Sequence, residues 1–192
     1  PASTVTTDKQ WNRYRGRTDN SVWVIVEGGQ GSLRHLTFEL LGKARELAEL
    51  TQSEVVALLV GPERDDQLRQ LAAYGADRII ILDNLPLGHP IGTTYTEALA
   101  INVTRHNPYA ILFPANSNGR DMASRLAARL GLGLTGDCVD LEINGNMELV
   151  QMKPALGGNV LAPILSKTKP YLTTLRPGLL NPILPDWTSK ST

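Results

Sequence analysis

The chain has 192 residues with 19 basic and 19 acidic side chains, a formal net charge of zero, so no long-range field draws it to a nucleic-acid backbone or an anionic membrane. Hydrophobic residues make up 42% and charged residues 20%, an ordinary composition for one globular core. The single cysteine, Cys138, excludes an internal disulfide, and no run of about 18 apolar residues offers a membrane-spanning helix, so the chain reads as soluble, cytoplasmic and without membrane insertion.

Residues 1–20 are polar, mix Asp8 and Asp19 with their positive charges, lack the apolar stretch of a signal peptide, and read as a flexible arm. From Ser21 onward, short β-branched runs alternate with stretches of helical period. The first strand is expected over Val22–Val26, and the loop Glu27-Gly28-Gly29-Gln30-Gly31-Ser32 follows it. Ser32 is placed to cap a helix that aligns Leu33, Leu36, Leu40, Ala44 and Leu47 on one face. A second strand over Val55–Val60 stops at Gly61-Pro62, and a short helix with Leu68, Leu71 and Ala72 ends at Gly75. A third strand over Ile79–Leu82 precedes a helix from Thr93 or Thr94 to His106, halted by Asn107-Pro108 because proline pushes its predecessor out of helical geometry. The strand Ala110–Phe113 then leads through Asn116-Ser117-Asn118-Gly119-Arg120-Asp121 into a helix carrying Met122, Leu126 and Leu130, ended by Gly131 and Gly133.

From Asp137 the helical period disappears. Extended pieces are expected over Val139–Ile143, Glu148–Met152, Val160–Leu165 and Leu172–Leu175, separated by turn sequences such as Asn144-Gly145-Asn146 and Gly157-Gly158-Asn159. Beyond Arg176, Pro177, Pro182 and Pro185 interrupt a segment without period, and 179–192 reads as a linker. The expected fold is therefore α/β: a three-layer α/β/α, doubly wound, mostly parallel sheet with extra edge strands in the last third.

In such a sheet the ligand crevice lies beyond the carboxyl ends of the strands, where the connections switch direction. The loops Gly28–Ser32 and Asn116–Asp121 would face each other there. Gly29 and Gly31 on one side, with Ser117, Asn118, Gly119 and Arg120 on the other, form a candidate anion or nucleotide loop at a helix N-terminus. Neither loop carries a full dinucleotide fingerprint or a phosphate-loop Lys with Ser/Thr. The competing reading gives Gly and Asn to the turns, Ser117 or Asn118 to the helix cap, and Arg120 to a surface ion pair. His35, His89 and His106 are too scattered for metal spacing. Asp137 beside Cys138 raises the thiol pKa, so a plain buried cysteine is expected. No nucleophile, acid and base come together in the sequence, and no catalytic site is expected. Trp23 reads as core, whereas Trp11 and Trp187 lie in polar arms of the kind that pack on partners.

Several segments occur together in one order: Val22-Trp23-Val24-Ile25-Val26-Glu27, Glu39-Leu40-Leu41-Gly42-Lys43-Ala44, Tyr74-Gly75-Ala76-Asp77, Asn118-Gly119-Arg120-Asp121, Ala127-Ala128-Arg129-Leu130-Gly131, Gly136-Asp137-Cys138, Lys153-Pro154-Ala155-Leu156-Gly157-Gly158-Asn159 and Leu175-Arg176-Pro177-Gly178. From about Ser21 to Gly178 the chain thereby resembles the N-terminal domain of the α subunit of electron-transfer flavoproteins, in the branch with nitrogen-fixation and electron-bifurcating members. Lys153, Leu156 and Leu175 depart mildly from the pattern, where arginine, an aromatic and valine are usual. The resemblance implies an adenine nucleotide alpha hydrolase-like fold and a scaffold role in which the domain docks on a β subunit that holds AMP. It also implies that FAD belongs to a further domain of the full-length protein and is not bound by this chain alone, with 179–192 leading towards that domain. Electrons would come from acyl-CoA or other flavin dehydrogenases, and the chain would be a carrier component without a catalytic site of its own. The alternative is a stand-alone adenine-nucleotide-binding module built on the two loops.

Overall fold

The computed structural model describes residues 20–27, 32–82 and 91–191, the side chains of 91–93 excepted. Most of the expected arm at 1–20, the glycines Gly28, Gly29 and Gly31, Trp11 and His89 lie outside the described residues. The chain alternates strand and helix through β1 (Ser21–Glu27), α1 (His35–Thr51), β2 (Glu54–Val60), α2 (Asp65–Ala73), β3 (Arg78–Leu82), α3 (Ile91–His106), β4 (Ala110–Pro114) and α4 (Ser117–Leu130). Five strands follow: β5 (Leu134–Cys138), β6 (Asp140–Ile143), β7 (Leu149–Ala155), β8 (Val160–Leu165) and β9 (Tyr171–Leu175).

Strands β1, β2 and β4 are apolar on both faces because helices cover both, as parallel sheets require. The six-stranded sheet runs in the order β3-β2-β1-β4-β9-β5, with every pairing parallel. One face carries Val22, Val24, Val26, Ala57, Leu59 and Leu112 and packs on Leu36, Leu40, Ala44 and Leu47 of α1 and Leu71 of α2. The other carries Trp23, Ile25, Leu58, Ile111 and Phe113 and packs on Leu99 and Val103 of α3 and Met122 and Leu126 of α4. The order reverses between β1 and β4, which places the switch point at the carboxyl ends of those two strands.

The last third differs in detail from the expectation of added edge strands. Of the strands in this third only β5 forms an edge of the main sheet, whereas β9 inserts between β4 and β5, and β6, β7 and β8 form a separate antiparallel sheet. Residues 134–138 were not anticipated as a strand, since Leu-Thr-Gly-Asp-Cys has neither alternation nor a β-branched run; pairing with β9 makes it one. Ser32 does not cap α1: Arg34 holds the N-cap position in extended geometry, without a side-chain bond to the helix. Among the described residues no helix is long and apolar enough to cross a membrane.

Candidate functional site

At the switch point β1 ends in Glu27, and β4 ends one residue before the turn into α4. Asn116 joins them: its Oδ1 accepts the Gly119 N–H at 2.8 Å, and its Nδ2 donates to Glu27 Oε2 at 2.7 Å. The cap of α4 is thus Asn116, not Ser117 or Asn118, both of which are exposed first-turn residues. Gly119 is buried, and a Cβ there would collide with the Pro114 carbonyl, so its glycine serves close backbone packing. Arg120 Nη2 lies 2.9 Å from Asp137 Oδ1. Of the six candidate loop residues, the structure brings Ser117, Asn118, Gly119 and Arg120 together as the first turn of α4, and Gly29 and Gly31 lie outside the described residues. The Glu27 carboxylate faces the helix end, with the Arg34 guanidinium 4.0 Å away, and the Gly119 N–H is already taken by Asn116.

The segment Gly136-Asp137-Cys138 is a register shift in the β5–β9 ladder. Asp137 sits there at a φ of 60°, its N–H donating to Thr174 Oγ1 at 2.8 Å while its carboxylate takes Arg120. Cys138 is free and fully buried, and its thiol pKa is pushed up by burial first, with Asp137 adding to the rise against the lowering effects of Thr173 and Lys153. The direction agrees with the sequence argument; the main cause is burial rather than the acidic neighbour. Fully buried Gln151 of β7 accepts from Thr135 Oγ1 and donates to the Leu172 carbonyl at 3.0 Å, which ties the small sheet to β5 and β9. His35 contacts Glu39, and the His106 ring centroid lies 5.8 Å from that of Trp23. Among the described residues no group of three or more His, Cys, Asp or Glu is arranged to hold a metal ion.

The small sheet has two unlike surroundings. Its register puts Leu141, Leu149, Gln151 and Ala162 on the face turned towards the main sheet, and Val150, Met152, Pro154, Leu161, Pro163 and Leu165 on the opposite face. On β7 and β8 the outward set is apolar, with Leu161 and Leu165 48% and 51% exposed, whereas β6 adds the charged Asp140 and Glu142 to that face. Leu156 beside it, in the turn after β7, is 78% exposed. Strand β8 is also an edge of this sheet, the position where Pro163 is tolerated. The sequence reading identified β8 as a strand but missed this surface. Its signal was present, because Val160-Leu161-Ala162-Pro163-Ile164-Leu165 is apolar without alternation, the pattern of a strand meant to be covered on both sides.

Comparison with known proteins adds the deciding observation, since residues 22–191 match the electron transfer flavoprotein domain. The chain belongs to the electron transfer flavoprotein family. Within it the chain corresponds to the N-terminal domain of the α subunit. Electron transfer flavoprotein subunit alpha of Thermoanaerobacterium thermosaccharolyticum is 36% identical over 166 residues, covering 86% of this chain and 50% of that protein. Lactate dehydrogenase (NAD(+),ferredoxin) subunit LctC of Acetobacterium woodii is 40% identical over 164 residues, 85% of this chain and 38% of that protein. Protein FixB of Rhizobium meliloti is 31% identical over 177 residues, 90% of this chain and 49% of that protein. The chain therefore spans half or less of the length of these relatives. The electron transfer flavoprotein match also gives the Rossmann-like sheet its context as part of an electron-transfer protein.

Proposed function

We propose that this electron transfer flavoprotein domain is the scaffold half of a heterodimeric electron carrier and docks on a β subunit through the outer face of β7 and β8. The observation that carries this reading is the apolar surface of Val150, Met152, Leu161, Pro163 and Leu165 on a sheet whose other face contributes the buried Leu141, Leu149 and Gln151. A contiguous apolar patch of this kind marks a protein–protein contact, and a family built on α and β subunits supplies the partner class.

Flanking β3 is a concave surface of about 460 Å³, lined by the apolar Leu68, Ala72, Ile79, Ile81 and Trp187 and by the polar Arg69, Ser189, Lys190 and Ser191. At the switch point the Glu27 carboxylate accepts from the side chain of Asn116, the residue that caps the start of α4. In this reading FAD belongs to another part of the assembly, and AMP to the β subunit; dehydrogenases that reduce the flavin are the electron donors of that assembly. This chain's part is to hold the partner in place. Co-expression with the cognate β subunit tests the reading. The expected result is a single complex on size-exclusion chromatography, and a β subunit that elutes apart from a folded α domain overturns it.

A further inference from the structure

The segment after β9, rich in proline and read as a linker, lies in a track on α1 and α2. Glu39, 2% exposed in the first helix, is the centre of that track. Its carboxylate accepts the Gly178 N–H at 2.8 Å and the Leu180 N–H at 3.4 Å, and its other oxygen meets His35 Nδ1 at 2.8 Å. One turn along, Gly42 leaves a notch. A Cβ there would strike the Asn181 carbonyl and come within 3.1 Å of Pro182 Cα. Leu180 is buried, the Asp186 N–H donates to the Ala73 carbonyl at 2.8 Å, and the Trp187 ring meets Tyr74 edge-on, which in turn stacks on Phe38 at 4.1 Å. A solvated linker has no use for a buried carboxylate aimed at its amides, nor for a glycine in mid-helix, where glycine costs about 1 kcal/mol against alanine.

We infer that Glu39 and Gly42 form a latch that fixes Gly178–Trp187 as a rigid strap, so that freedom of movement for whatever the chain carries begins beyond Trp187 and not at Arg176-Pro177-Gly178. This rests on the scaffold reading for its purpose, since a fixed strap sets the point from which a mobile redox domain is tethered. Charge-assisted bonds to a desolvated carboxylate are among the stronger ones in proteins, and here they act on backbone groups of the strap itself. Gly42 makes the fit possible because only a residue without Cβ lets the strap backbone lie against the helix.

Amide hydrogen exchange read residue by residue tests the latch. In the unaltered chain the amides of Gly178, Leu180 and Asp186 should exchange far more slowly than a free peptide. Glu39→Ala should speed them between about tenfold and a hundredfold, the loss expected for hydrogen bonds to a charged acceptor, while β1 and β4 keep their protection. Glu39→Gln, which retains one acceptor oxygen, should fall between. Gly42→Ala provides an independent arm that decides the matter should Glu39→Ala fail to fold: it improves helix propensity, so a passive tail would leave exchange unchanged and raise the melting temperature, whereas the latch requires faster exchange at 178–186. Free-peptide rates in the unaltered chain, or unaltered rates in Gly42→Ala, overturn the inference. Capture of the β subunit, measured alongside, separates the two readings: loss of capture with a protected strap sinks the scaffold alone, and intact capture with an unprotected strap sinks the latch alone.

Discussion

Replacing Leu161 and Leu165 on the outer face of β8 tests the docking surface most directly. Each leucine is about half exposed, at 48% and 51%. Complete burial of a leucine is worth roughly 1.5–3 kcal/mol, so covering the remaining half contributes about 1 kcal/mol per side chain and about 2 kcal/mol for the pair. The double variant L161A/L165A should therefore weaken β-subunit binding about thirtyfold. The double variant L161D/L165D should abolish it, because two carboxylates would be desolvated without partners at a cost of several kcal/mol. Both side chains point away from the Gln151 face, so the fold should be spared and the melting temperature of the isolated chain should move little. Titration calorimetry against the β subunit, paired with differential scanning calorimetry of the variants, reads both quantities. Aspartate variants that remain folded and bind with undiminished affinity would refute the assignment of this face.

Asn116→Ala should cost about 1 kcal/mol as a lost helix cap. Asn116→Asp keeps the cap acceptor but sets a carboxylate against Glu27, now 2.7 Å from the Asn116 amide; its melting temperature should be lowest near neutral pH and recover as pH falls through the carboxylate range, since like charges raise each other's pKa. Lys43 bridges Asp140 at 2.8 Å and Glu46 at 2.6 Å and joins α1 to the small sheet. Burial lowers its pKa, but the two carboxylates outweigh burial and hold it above the ordinary value of 10.5. A raised folded value means the stabilisation is complete below 10.5 and is lost as pH climbs through the folded value; urea denaturation should show that alkaline step in the native chain, worth about 1 kcal/mol with half-exposed partners, and not in Lys43→Met. Cys138, buried with its thiol pKa pushed up, should react with a thiol reagent at least about a thousandfold more slowly than in the unfolded chain, and prompt labelling in native buffer would contradict its placement.

The parallel core was legible because its signals are local. Trp23 with its valine and isoleucine neighbours, the Leu36-Leu40-Ala44-Leu47 stripe, and Asn107-Pro108 each announce an element within a few residues of themselves. What escaped depends on distant partners. Leu134–Cys138 becomes a strand only through Leu172, Thr173 and Leu175, and nothing near Tyr171 reveals that it will lie beside Ala110. The helix cap was misplaced by one or two residues because Asn116, Ser117 and Asn118 are all capable caps, and the choice fell to the one within reach of Glu27. The prolines after Arg176 spoke for a linker with good local reason, yet Glu39 and Gly42, well over a hundred residues earlier in the chain, supply the surface on which that segment lies. The segment 116–121 lies at the switch point, and the Glu27 carboxylate beside it becomes evident only with β1 and β4 side by side.

The insertion of β9 between β4 and β5 has a consequence for how the polypeptide matures on the ribosome. Five strands of the main sheet precede residue 140 in the chain, yet β5 has no neighbour in that sheet except β9. Until residues 171–175 have emerged, the nascent sheet carries a vacant slot beside β4, and the intervening hairpins must assemble without closing it. A fragment ending before Tyr171 would leave β4 and β5 both with bare hydrogen-bonding edges, the kind of surface that recruits strands from other molecules. Trimming from the carboxyl side should thus lead to aggregation once the cut passes Leu175.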